Sequence, residues 1–250
     1  MTFSALAIIG ATIIFSSFLS GVFGMAGGMV VIGVLLIYFD VATAMILFSI
    51  IQLTANGWRA LQWWSFVRWD IIWLYCVGGA VAFAILRFIA FIPDKALVYL
   101  LLGAMPFAVD LLPKSWRPDI EWRGVPFFTG GFTTIIQFIA GVGGPFLDIF
   151  FQKSALDRKT TLATKAIAQS ASHVLRLVYF VSLTGIAGVE TAPAVAAVAL
   201  AIAGTMLAPS VIERMTDDSF RQWTRFVIYA ICIIYLIRAL WLYWQAFAAA

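Results

Sequence analysis

Gly21-Val22-Phe23-Gly24-Met25-Ala26-Gly27-Gly28 interrupts a long apolar segment, and the chain makes the same interruption again at Gly141-Val142-Gly143-Gly144-Pro145. A shift of 117 residues takes Gly24 to Gly141 and Gly27 to Gly144. Without a gap it then pairs Asp40 with Asp157, Thr43 with Thr160, Gln52 with Gln169 and Arg59 with Arg176, while Asn56 falls opposite His173. Aliphatic coincidences carry no information in so apolar a chain. Six identities at glycine, charged and polar positions in one register point to an internal duplication.

The 250 residues are 63% hydrophobic and only 11% charged, more apolar surface than one soluble core can hide. This composition predicts an all-α polytopic membrane protein, since helices satisfy their backbone groups internally in lipid. Sixteen Lys and Arg against twelve Asp and Glu give a net charge of +4. The positive residues lie in short loops between apolar runs, with no exposed basic helix or arm, so they read as topology signals and argue against a nucleic-acid partner. The segment from Thr2 to Val22 has no Lys or Arg before it. It therefore lacks the basic start of a cleaved signal peptide and is expected to stay as a membrane helix. Cys76 and Cys232 stand alone in apolar runs and read as buried thiols.

A bilayer core takes about 20 apolar residues per helix. The first half offers runs from Ser4 to Val22, Met29 to Phe39, Val41 to about Leu61, Ile71 to Ile89 and Lys95 to Leu112. Trp58, Trp63, Trp64, Trp69 and Trp73 form a belt suited to the lipid interface. The second half offers Gly124 to Ala140, Phe146 to Gln152, a long helix led by Asp157, Thr191 to Ile212 and Phe226 to Phe247. Residues 1–113 thus read as a first transmembrane repeat, 114–123 as a cytoplasmic linker and 124–250 as a second repeat.

Positive charge sets the expected orientation. Lys114, Arg117 and Arg123 put the linker in the cytoplasm, and Lys153, Arg158 and Lys159 do the same for the loop after the second break. Because Arg123 and Lys153 flank the broken segment on one side, that segment is expected to enter and return as a hairpin. Asp40 and Asp157 then fall on opposite faces, and the two repeats, about five helical segments each, are inverted. The count is ten segments with both termini outside, or eight spans in parallel repeats if each broken segment crosses once.

Backbone groups freed at a glycine break survive only against protein or a watery cavity. Gly144-Pro145 before an apolar run reads as a helix start, whose free N–H groups favour an anion near mid-membrane. Gly27-Gly28 would do the same from the other direction, and matched broken helices in two halves point to a transporter's substrate site. Downstream, Gln52, Asn56 and Arg59 in one half, and Gln169, His173 and Arg176 in the other, share one helix face at spacings of four and three. The expected anion site is therefore Gly27, Gly28, Gln52, Asn56, Arg59, Gly143, Gly144, Gln169, Ser170, His173 and Arg176. The two arginines would supply charge and guard the two mouths of one pathway, with interfacial snorkelling as the plainer account of either alone. His173, the single histidine, and Asp148 are the candidate proton carriers, and pairing with Lys165 is the alternative for Asp148. One histidine and two distant cysteines supply no metal site, and no P-loop or GxSxG motif appears, so neither cofactor nor enzymatic constellation is expected.

Gly24-Met25-Ala26-Gly27-Gly28, its echo at Gly141 to Pro145 and the long apolar halves resemble the sulfite exporter TauE/SafE family, also called the four-toluenesulfonate uptake family. The resemblance implies a multi-pass carrier in the bacterial-type inner membrane for small, often sulfur-containing anions such as sulfite, sulfonates or sulfoacetate. The chain departs by carrying Met29 where members commonly lead into a proline. The expected function is a secondary transporter whose two halves rock about the bound anion, with protons as a candidate coupling ion; the alternative is a passive anion channel with the same polar lining.

Overall fold

The computed structural model describes residues 2–23, 26–186, 191–207 and 217–249. Among them are ten α-helices and no strand: α1 (Phe3–Phe23), α2 (Ala26–Tyr38), α3 (Val41–Gln62), α4 (Trp69–Ile89), α5 (Lys95–Leu111), α6 (Val125–Ala140), α7 (Gly144–Phe151), α8 (Arg158–Thr184), α9 (Thr191–Leu207) and α10 (Asp217–Ala248). By length and composition α3, α4, α8 and residues 225–248 of α10 are each able to cross a membrane, whereas the apolar stretches of α1, α2, α6 and α9 are shorter.

Matching sequence makes matching local structure. The Asp40 carboxylate accepts the Thr43 N–H at 3.0 Å and the Thr43 hydroxyl at 2.7 Å, which caps α3. Asp157 caps α8 with Thr160 in the same way, at 3.1 and 2.6 Å. Each cap satisfies an amide that the first helical turn leaves free.

Both interruptions fall where the glycines place them. α6 ends at Gly141, whose φ of 82° lies in the left-handed region that glycine reaches without strain. α7 then starts at Gly144 with Pro145 in its first turn, where a missing N–H costs nothing. In the first half α1 stops at Phe23 and α2 begins at Ala26; Gly24 and Met25 lie outside the described residues.

Each broken segment returns along the helix before it. Phe146 meets Phe132 edge to face at 5.1 Å, and the Ile120 N–H reaches the Phe150 carbonyl at 2.9 Å, so the end of α7 lies beside the start of α6. α2 folds back on α1 so closely that a Cβ on Gly27 would run into the Ser16 carbonyl and Ser20. Both are hairpins, as the flanking charges predict for the second.

Four helix pairs hold the bundle together: α3 on α8, α5 on α10, α4 on α6 and α1 on α9. Exchanging each helix for its counterpart in the other half maps this set onto itself. α3 and α8 run antiparallel to each other, and so do α5 and α10. Phe48 stands against His173 and Ser49 against Arg176, while Phe66, just past the end of α3, lies under Lys159 at the start of α8. Along α5 and α10, Asp110 and Phe107 meet Tyr229, Leu102 meets Cys232, and Tyr99 meets Tyr235. The Asp40 and Asp157 caps accordingly sit at opposite ends of the bundle.

The Asp157 end gathers several loops. The Arg68 N–H bonds Thr164, its guanidinium bonds Glu121, and Glu121 accepts the Ala155 N–H. The Thr160 hydroxyl and N–H hold the Asp157 carboxyl below the usual carboxylate range. Nearer the middle, α4 and α6 touch backbone to backbone at Gly78 and Gly130, where a Cβ would meet the Phe127 and Tyr75 carbonyls. That contact delivers Tyr75 to the centre of the molecule.

Candidate functional site

A small cavity of about 30 Å³ lies where α2, α3, α4, α6, α7 and α8 converge. Of the predicted residues, Gly28, Gln52, Asn56, Gly143, Gly144, Gln169 and His173 line it, so both halves contribute. Gly28 is there because Gln52 needs the space: a Cβ at Gly28 would collide with the Gln52 amide. Gly143 lies flat against the Thr133 carbonyl, 3.0 Å from where its Cβ would be. No side chain caps the start of α7, which leaves the helix's first amides and its positive dipole end facing this space.

The lining is rich in donors and holds no carboxylate. Gln52 and Asn56 are buried at 6% and 7% exposure, and Gln169 is half-buried. Among the described residues, none of these three amides has a hydrogen-bond partner in the protein. These amides open onto the cavity, so each is free to bond something that enters.

His173 is fixed from behind. Arg176 Nη2 donates to His173 Nδ1 at 3.1 Å, and Gln137 Nε2 does so at 2.8 Å. A guanidinium carries only donors, so Nδ1 accepts and the ring proton sits on Nε2. The ring is neutral, and Nε2–H is the polar group it has left for the cavity it lines.

Beside it runs a hydroxyl chain. Tyr75 Oη lies 2.7 Å from both Thr133 Oγ1 and Ser172 Oγ, and Thr133 donates to the Thr129 carbonyl at 2.6 Å. With Thr133 committed to Thr129, Tyr75 donates to Thr133 and Ser172 donates to Tyr75. The chain ends on the Thr129 carbonyl and stiffens the wall. The amides, His173 and the start of α7 are left to bind.

Four predicted residues do not line the cavity. Arg176, 0% exposed, donates to Ser49 Oγ at 2.8 Å, to the Gly141 carbonyl and to His173, with its guanidinium 4.3 Å from the Phe48 ring centre. It compensates the carbonyl end of α6 and guards no mouth. Arg59 does the corresponding service in the first half, donating to the Ser20 carbonyl in the last turns of α1 at 3.0 Å. Gly27 serves the α1–α2 contact, and the Ser170 hydroxyl bonds back to the Ala166 carbonyl. Asp148 is paired with Lys165 across α7 and α8 and is also outside the lining.

The residues not singled out from the sequence are Phe48, Tyr75, Thr133, Gln137, Val142 and Leu147. A signal existed for two. Thr129, Thr133 and Gln137 form a stripe at spacing four, and the 117-residue shift sets Thr12, Ser16 and Ser20 opposite them. Tyr75 had no such signal, because its place depends on the Gly78–Gly130 contact.

The sequence profile of the family described as Sulfite exporter TauE/SafE matches residues 9–235, nearly the whole chain and every residue of the cavity. The chain belongs to the TauE/SafE sulfite exporter family. Neither a curated protein nor a solved structure matches it. TauE/SafE membership makes this a multi-pass membrane protein of a transporter family, which implies transport of sulfur-containing anions. A donor-lined cavity between paired interrupted helices suits that membership.

Proposed function

We propose that the protein is an alternating-access carrier of a compact sulfur oxyanion, with sulfite the best fit, and that the anion sits in the cavity between residues 1–113 and 124–250, taken as inverted repeats. The observation that carries this is the set of unpartnered donors from both halves around one space: Gln52 and Asn56 from one, Gln169, His173 Nε2–H and the start of α7 from the other. Opposed directions in α3/α8 and α5/α10 are what inversion requires of corresponding helices, and they support rocking of the halves about this point. The cavity is small, about 30 Å³, which favours a compact anion without a carbon tail. Arg176 acts as a positioning residue, lending charge through His173.

Nδ1 of His173 is occupied by Arg176, and Asp148 is occupied by Lys165.

His173→Gln and His173→Leu test the assignment, because a glutamine amide reproduces a donor near Nε2 and leucine does not. Sulfite binding by purified protein is expected to fall by about 10- to 100-fold in the leucine variant, the loss of one hydrogen bond to a charged group, and to recover most of that in the glutamine variant. Equal binding in all three proteins overturns the site. Counterflow in liposomes tests the mechanism: a trans load of sulfite accelerates uptake of label through a carrier and not through a channel.

A further inference from the structure

The two halves differ most in the length of their half-helices. α2 has 13 residues and α7 only 8, so beside α7 the wall made by α4 and α6 is left partly uncovered. The result is an open groove of about 600 Å³ lined by apolar side chains of α4, α6 and α7, among them Val81, Ile85, Phe128, Phe132, Phe146 and Phe150, and bordered by Leu112 and Pro118. Phe128 is 71% exposed and Ile85 55%. An apolar trough of this kind in the outer wall of a membrane protein fits a hydrocarbon chain.

The border at Leu112 carries charge. The Arg117 guanidinium bonds the Leu112 carbonyl and the Gln152 side chain, and Lys153 Nζ donates to the Ser115 carbonyl at 3.0 Å. These partners are all neutral. The nearby Asp119 carboxylate is turned to the Glu121 N–H at 2.9 Å, and Glu121 is engaged with Arg68 and Ala155. Among the described residues neither cation has a carboxylate partner, and both stand at the polar end of a hydrocarbon-lined groove, the arrangement expected at a lipid headgroup.

We infer that this groove is a binding site for one anionic glycerophospholipid, its acyl chain along α4, α6 and α7 and its phosphate at Arg117 and Lys153. One wall of the groove is α7, whose opposite side forms the anion cavity, so the bound lipid braces the shorter half-helix where α2 needs no such support. The site is independent of the sulfite assignment, and its test reads lipid, not transport.

The experiment compares retention of phosphatidylglycerol and of phosphatidylcholine with identical chains, by native mass spectrometry of the purified full chain. Wild type is expected to hold phosphatidylglycerol preferentially. Arg117→Gln with Lys153→Gln should lower that preference by about fivefold per cation removed, while retention of phosphatidylcholine stays as it was. Gly131→Leu should plug the groove and lose both lipids; a Cβ there meets nothing closer than the Gly78 carbonyl at 3.4 Å, so the protein should fold. Val81→Trp, from the opposite and exposed wall, is the second plug. Equal retention of the two lipids by wild type, or unchanged phosphatidylglycerol retention in either folded plug variant, overturns the proposal. So does a lipid-free wild-type dimer that the plugs make monomeric, which would assign the groove to a second copy of the chain.

Discussion

Arg59 and Arg176 occupy the same place in the two halves and do the same first task, each donating to a carbonyl at the end of the helix that precedes its own half's break. There the likeness stops. Arg176 is fully buried, adds Ser49 and His173 as partners and is covered by Phe48. Arg59 is only partly buried and has the Ser20 carbonyl as its single hydrogen-bond partner among the described residues. The register explains the gap: it puts Ala166 opposite Ser49, Lys165 opposite Phe48 and Asn56 opposite His173. Both arginines serve the backbone of a broken helix, and only Arg176 also sets a histidine tautomer.

The largest expected effect is at Arg176. Removing it strands the Gly141 carbonyl and frees the imidazole, so Arg176→Ala should destabilise the protein by about 3 kcal/mol or more, from several charge-assisted bonds lost together. Arg176→Lys should rescue little, because an ammonium lacks the planar fork that reaches three acceptors. Thermal unfolding in detergent, with sulfite binding on whatever folds, is the check; a lysine variant of wild-type behaviour would break the comparison. Phe48→Leu comes next. Loss of the ring over a desolvated guanidinium should cost about 1–2 kcal/mol and weaken sulfite binding as well, because Phe48 also lines the cavity. Arg59→Gln should cost about 1 kcal/mol, one partly exposed bond, and leave sulfite binding close to wild type. A loss there as large as at Arg176 would show that the halves remain functionally equivalent.

The helix caps, which did not diverge, should give the smallest and most even effects. Thr160 holds the Asp157 carboxyl below its ordinary range, and the Thr43 bonds outweigh burial to do the same at Asp40. A folded value below the unfolded one means that each cap's charge-dependent stabilisation is present above about pH 4 and is lost as pH falls through the folded value. Asp40→Asn and Asp157→Asn keep a capping oxygen but remove the titration. Unfolding temperatures of the double variant should therefore depend less on pH below about 4 than those of wild type, with equal shares from the two sites.

How far the chain could be read varied with the range of the physics involved. The 117-residue register located both breaks, both caps and the facing polar trios, because all of these are local: glycine dihedrals, Asx caps and helical spacing act within a turn or two. Charge flanking the second break was enough to foresee its hairpin. Arg176 was misassigned to a pathway mouth for a reason of the opposite kind. The sequence puts it on the face it shares with His173, but only the antiparallel crossing of α3 over α8 brings Ser49 and Phe48 to it, and only the packing of α6 on α8 brings the Gly141 carbonyl.

The sequence by itself determined an all-helical membrane protein, two interrupted helices and most of the donors around the cavity, since composition, period and turn chemistry are properties of short stretches of chain. The tertiary structure alone decided which donors remain free. Hydrogen-bond satisfaction is settled between helices distant in sequence: Tyr75 with Thr133 and Ser172, Arg176 with Gly141 and Ser49, Asp148 with Lys165. A polar residue becomes a binding group only where that pairing leaves it without a partner.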